Sequence, residues 1–133
     1  MNLAEVIHQR WAAAGGLNGL LPATSVYTGL SVDPEMPYAV ISKRSDRPMA
    51  RLNDGSGVDA VGVRIEVFHD NRDAAATIVE QVKTTFDRTD FTLSGSDKVI
   101  NVQRVNDSER QNDDGVWQMT IDFHCAVYLA PGA

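Results

Sequence analysis

Within "WQMTIDFHCAVYL", residues 117–129, an Asp, a His and a Cys fall inside four positions. Asp122, His124 and Cys125 are residue types that bind transition metals, and a thiol beside an imidazole is the arrangement of a nucleophile with its base. Alternation decides between these chemistries and a plain strand. The odd positions Trp117, Met119, Ile121, Phe123, Cys125, Val127 and Leu129 are all apolar, while the even ones include Gln118, Thr120, Asp122 and His124. A period of two is that of a half-buried strand with its odd face in the core. Successive strand side chains point to opposite faces, so His124 and Cys125 cannot meet as base and nucleophile. Cys125 then reads as a small buried apolar residue. Asp122 and His124 share a face, about 6.5–7 Å apart at the Cα, but two ligands do not make a metal site. His69 falls on the apolar parity of its own strand. No catalytic residue, metal ligand or cofactor site is assigned, and a solvated polar face is the expected state of Asp122 and His124.

Other motifs are weaker. "GSGVDA", residues 55–60, has the glycine spacing of a dinucleotide-binding turn, but a polar loop precedes it and a strand follows, where the chemistry needs a strand and then a helix N-terminus. "NDSERQNDDG" is acidic enough for calcium, yet Arg110 occupies a ligand position and no distant Glu stands in register, so a polar hairpin loop is the better account. Arg44, Arg47 and Arg51, with Asp46 and Asp54, crowd residues 44–59, which read as the long polar tip of a hairpin. Such a tip is either solvated or a contact surface, and long ordered loops often carry function. On a second hairpin, Asp107, Glu109, Asp113 and Asp114 are carboxylates suited to bidentate pairing with such arginines on a neighbouring molecule.

These residues need a frame. Leu3, Val6, Ile7 and Trp11 recur at helical spacing, and Gly15-Gly16 is expected to end that helix. "SVYTGL" reads as a short strand, "VDPEMP" as a proline-bearing turn and "PYAVISKR" as a strand entered at Tyr38. Residues 58–69 alternate Val61, Val63, Ile65 and Val67 with Arg64 and Glu66, a strand with one apolar face. Asn71 caps a second helix whose Ala75, Ile78, Val79, Val82 and Phe86 form one stripe. "TLSGSDKVINVQRVNDSERQ" reads as strand, tight turn, strand, and "NDDG" at 112–115 is a hairpin turn into the last strand. The expected fold is α+β: a mostly antiparallel sheet with two amphipathic helices packed on one face, in a single domain spanning 1–133.

Composition bounds the partners. The chain has 133 residues, 43% of them hydrophobic, a formal net charge of −6 and one cysteine. Negative charge disfavours binding to phosphate backbones and to acidic membrane surfaces. A lone cysteine excludes an intrachain disulfide. The N-terminus carries Glu5, His8 and Arg10 and lacks the apolar run of a signal peptide, and no stretch has the roughly 20 apolar residues of a membrane span. A soluble protein made in a cytoplasm is expected.

Three stretches in order, "DPEMPYAVI", "VRIEVFHDNRDAAATIVEQVKTTF" and "ERQNDDGVWQMTIDFHCAVYL", together with the amphipathic N-terminal helix, resemble the tail completion or tail terminator proteins of long-tailed phages and prophages. The likeness is an order of patterns over nearly the whole chain. The polar end "TTFDRTD" of the second helix and the long arginine-bearing loop depart from it. The resemblance implies a structural virion protein, assembled in the host bacterial cytoplasm, that caps the tail tube and joins the tail to the head connector as a homo-oligomeric ring, usually a hexamer. Its implied partners are its own copies, the tail tube protein and the connector, without cofactor, membrane or specific nucleic acid. Arg44, Arg47, Arg51, Asp107, Glu109, Asp113 and Asp114 are the expected contacts. Net negative charge suits a channel that DNA must traverse without sticking. The other class of function left open is a ligand-binding or enzymatic α+β domain that uses Arg64, Glu66, Asp122 and His124 on the polar sheet face.

Overall fold

A computed structural model of the chain describes residues 3–28, 35–88, 91–92 and 97–131. The expected α+β architecture is present. Helices α1 (Leu3–Ala13) and α2 (Gly15–Leu20) lead through a 3-10 turn (Ala23–Ser25) into β1 (Val26–Tyr27). Then follow β2 (Tyr38–Arg51), β3 (Gly57–His69), α3 (Arg72–Phe86), β4 (Phe91–Thr92), β5 (Lys98–Gln111) and β6 (Trp117–Leu129). Among the described residues they form one six-stranded sheet in the order β1-β2-β3-β6-β5-β4, parallel only between β1 and β2.

The core follows from parity. Val61, Val63, Ile65 and Val67 of β3 lie directly opposite Cys125, Phe123, Ile121 and Met119 of β6, and all eight are buried. Ala39 and Ile41 of β2 extend this apolar face. Helix α3 sets Ala75, Ile78, Val79, Val82 and Phe86 against it. Its start is fixed as the sequence predicts: the Asn71 side chain accepts a hydrogen bond from Ala74 N at 2.9 Å, satisfying a backbone donor that the helix itself cannot. Trp11 is fully buried, donates its indole N–H to Leu21 O at 2.8 Å and lies 6.4 Å from Phe86, which in turn meets Phe123 edge-on at 6.3 Å. This aromatic chain ties α1, α3 and β6 together.

Three sequence expectations need correction. Gly15-Gly16 follow the end of α1 but open a further short helix, α2, instead of a turn. Burial overrides low helix propensity there: Leu17 is fully enclosed, and a side chain at Gly16 would come within 3.1 Å of Gln81 on α3. Second, residues 44–59 are not a long loop. β2 continues to Arg51, and the turn itself is only residues 52–56, where Leu52 N donates to Ser56 O at 2.9 Å and Gly55 adopts φ +89°. Third, the acidic run "NDSERQ", which the sequence offers both as a strand end and as part of a polar hairpin loop, is strand, because β5 reaches Gln111. Both misreadings have one cause. These strand ends are exposed on both faces, so their polarity records solvent contact and carries no information about irregularity. Residues 32–34 of the proline-bearing turn and residues 93–96 of the turn before β5 lie outside the described residues.

Four residues are skipped by the pairing registers: Arg44 and Met49 in β2, Ile100 and Val105 in β5. These are β-bulges, which bend a strand and re-aim its side chains. Three of the four are apolar and exposed, Met49 at 63% and Val105 at 60%.

Candidate assembly surface

The β2–β3 and β5–β6 turns sit at opposite ends of the sheet. β3 and β6 run antiparallel, with Gly57 beside Leu129 at one end and His69 beside Trp117 at the other. Residues 52–56 therefore cap the first end and residues 112–116 the second. The two turns share one geometry: Asn112 N donates to Val116 O at 2.8 Å, and Gly115 takes φ +86°. At the first turn, Asp54 accepts hydrogen bonds from the Ser56 hydroxyl at 2.6 Å and the Ser56 backbone at 2.9 Å, which hold its carboxyl below the usual range.

Charge divides the same way. Residues 43–51 carry Lys43, Arg44, Arg47 and Arg51 against Asp46, an excess of three positive charges. Residues 106–114 carry Asp107, Glu109, Asp113 and Asp114 against Arg110, an excess of three negative charges. The three arginines thus stand on one arm, and the four carboxylates stand at the far end of the molecule. No intramolecular pairing between the two groups is found among the described residues.

Some of these groups already have local partners. Arg51 donates to Asp59 at 2.7 Å. Asp107 meets Lys83 of α3 at 2.5 Å and lies 3.7 Å from Arg104. The hydrogen bond from Lys83 lowers the Asp107 pKa, and the same bond raises that of Lys83. Glu109 accepts from Arg72 at 2.8 Å, which raises the arginine's already high pKa. Parity explains both pairings: Asp107 and Glu109 lie opposite Ile121 and Met119, on the side of the sheet that α3 covers. Arg44, Arg47 and Asp113 make no ion pair among the described residues, and Asp114 has only a 3.4 Å bond from Val116 N. Of the seven sequence-derived contacts, these four are the ones available to a partner.

The uncovered face of the sheet is occupied differently from a catalytic cleft. Arg64 and Asp122 lie directly opposite and pair through two bonds, 2.8 and 3.3 Å. This bidentate pair uses both carboxylate oxygens and raises the Arg64 pKa. Glu66 accepts from Gln118 at 2.5 Å. His124 is exposed on this face, whereas Cys125 is buried on the other and its thiol is pushed up to about 12 by desolvation. Tyr38 stacks on Phe68 at 4.7 Å, with Tyr27 edge-on to Tyr38 at 6.2 Å. On the helix side, a recess of about 530 Å³ has Val61, Val63, Val127 and Leu129 as its floor and Lys43, Asp46 and Asp59 on its rim. Among the described residues, no three His, Cys, Asp or Glu side chains converge on a metal position, and no helix is long and apolar enough to cross a membrane.

Sequence reasoning missed the exposed apolar side chains Met49, Leu52 and Val105 along the strand edges. A signal existed for the first two. "NDG" at 53–55 is as strong a hairpin turn as "NDDG", and it places Met49 and Leu52 on the arm instead of inside a loop.

A family model described as tail completion protein gp17 matches residues 5–128. No curated protein matches the chain at a significant level. Among solved structures, a chain from the virion of a native gene transfer agent particle superposes with a TM-score of 0.75, covering 96% of this chain and 95% of that one at 15% sequence identity. That likeness is one of fold.

Proposed function

Because the chain belongs to the tail completion protein gp17 family, we propose that it is a structural virion protein that caps the tail tube and joins the tail to the head connector as a closed ring of six copies. Residues 1–133 act as a single domain. Its partners are its own copies, the tail tube protein and the connector. Its place is the virion, after assembly in the bacterial cytoplasm. The reading needs no catalytic group, metal or cofactor, and no specific nucleic-acid contact.

One observation carries it: the outer half of β2 at one end carries an excess of positive charge and the β5–β6 hairpin at the other end an excess of negative charge, on two hairpins of the same turn geometry. A ring is built from one interface repeated head to tail, so each subunit must bear two different, complementary patches. The arm with Arg44 and Arg47 and the hairpin with Asp113 and Asp114 supply such patches. Arg51, Asp107 and Glu109 border them while held by Asp59, Lys83 and Arg72. The pairing of Arg64 with Asp122 argues against a ligand site on the open face, since neither charge is left for a substrate.

The test is complementation of a phage or prophage lacking this gene, scored by electron microscopy. The expected result without the gene is tails that do not join heads, restored by the intact chain. Normal-length tails joined to heads in its absence would overturn the reading.

A further inference from the structure

Two long strand edges have no neighbour among the described residues. β1 pairs with β2 only at Ala39 and Val40, and β4 pairs with β5 only at Lys98 and Val99. Residues 87 and 88 cover the β5 edge at 102–104, where Arg88 N donates to Val102 O at 2.6 Å and Arg104 N donates to Asp87 at 2.9 Å. Among the described residues the outer edges of 44–51 and 105–111 have no strand beside them, on opposite sides of the sheet. An open edge presents unpaired backbone N–H and C=O groups and is a template for another strand.

The phase of these groups is readable. Asn112 and Val116 form a hydrogen-bonded pair. Bonded and non-bonded pairs alternate along an antiparallel ladder, and the register from 106 to 111 is unbroken. The backbone groups of Asp107, Glu109 and Gln111 therefore point away from β6, outward. The Leu52–Ser56 pair turns those of Arg51 outward on β2 by the same count.

Direction agrees as well. β2, β3, β6 and β5 are successively antiparallel, so β2 and β5 run antiparallel to each other. A second copy placed beside β2 in the same orientation, and slid along the strand direction until its acidic end is level with the basic end of β2, brings its own β5 alongside in the antiparallel sense.

We propose that neighbouring copies join by adding the open edge of β5, residues 106–111, to the open edge of β2, residues 45–51, of the next copy. This rests on the ring assigned above and specifies what holds it. Charge selects the pairing. Two β2 edges together would oppose two basic arms, and two β5 edges two acidic ones, whereas β2 against β5 brings the basic run 43–51 beside the acidic run 106–114. The like pairings are the isologous ones that make a dimer, and the unlike pairing is the heterologous one that a ring requires. Pro48 and the bulges at Arg44 and Met49 shorten the usable run on β2, which limits indiscriminate strand addition. The exposed side chains of Met49 and Val105, re-aimed by their bulges, add apolar contact beside the backbone bonds.

Hydrogen exchange read by mass spectrometry, on purified particles and on dilute protein, tests this. Peptides covering 106–111 and 45–51 should exchange about tenfold or more slowly in particles, as amides do when they enter a ladder. Rings visible at the tail end with unchanged exchange in both peptides would overturn edge pairing and leave the ring intact. Particles without a ring would overturn both. A second arm uses Gln111→Pro, which removes an outward N–H, against Gln111→Ala, which removes only the side chain. The proline variant, folded by circular dichroism, should yield at least about tenfold fewer joined particles than the alanine variant. Equal yields from the two would count against the pairing. The exchange arm uses only the wild-type chain, so it supports or overturns the pairing even where the proline variant does not fold.

Discussion

The Lys83 ammonium sits 2.5 Å from the Asp107 carboxylate, so a charge at the acidic end of the sheet is bound by the molecule's own helix. Lys83 raises its pKa through this bond, and Asp107 lowers its own. A depressed carboxylate contributes stability that is present above its unfolded pKa, about 3.9, and is lost as pH falls through the folded value. The lysine's share is present below about pH 10.4 and is lost as pH rises through its raised value. Asp107→Asn should therefore cost up to about 1 kcal/mol near neutrality, the size expected of a partly exposed pair. The difference between the two proteins in urea melts should shrink as the pH falls below about 3.9 and the wild-type carboxyl takes up its proton. A difference undiminished down to the lowest pH at which both fold would show that the bond is not the source.

Phe123 and Thr120 lie on opposite faces of β6. Phe123 is buried against Phe86, so Phe123→Ala should destabilise by about 3–5 kcal/mol, whereas Thr120→Ala should stay within about 0.5 kcal/mol. Comparable losses in denaturant melts would mean that both faces of the strand are packed.

Cys125 should be inert in the native state. Burial pushes its thiol up to about 12, so at ordinary pH almost none is thiolate, the reactive form. Labelling with an aromatic disulfide reagent should proceed at the rate of unfolding and should accelerate in urea in step with the loss of structure. Rapid stoichiometric labelling without denaturant would place the thiol at the surface.

Arg44→Glu combined with Arg47→Glu should leave the melting temperature within a few degrees of wild type, because neither side chain makes an ion pair among the described residues and exposed charges contribute little to folding. Head–tail joining in the complementation assay should fall to the level of the missing gene. Normal joined particles from this variant would remove the arginines from the mechanism and leave the backbone edges as the contact.

The parts of the fold that were legible in the sequence are those where burial is one-sided. The alternation of Trp117 to Leu129 gave β6, its buried face and the fate of Cys125. Asn71 and the stripe from Ala75 to Phe86 gave α3. The outer half of β2 was not legible as strand, and that of β5 read as strand or as loop, because periodicity is written only where one face meets a core. There, Arg44 to Arg51 read as loop although the ladder continues through them. The short helix α2 was hidden by its glycines, of which Gly16 lies close to Gln81 of α3. For the assembly surface, residue types were readable but occupancy was not. That Asp107 and Glu109 are held by α3 while Asp113 is not depends on strand parity and on a helix far away in sequence.

The two parities of β6 also separate two kinds of evolutionary pressure. Met119, Ile121, Phe123, Cys125 and Val127 answer to the interior and can change only together with what packs on them. Gln118, Thr120 and His124, on the uncovered side, can be exchanged with little effect on folding. A lineage whose neighbouring proteins drift can follow them by rewriting every second residue while its scaffold persists, so relatives of this chain should diverge along its strands in a two-residue rhythm.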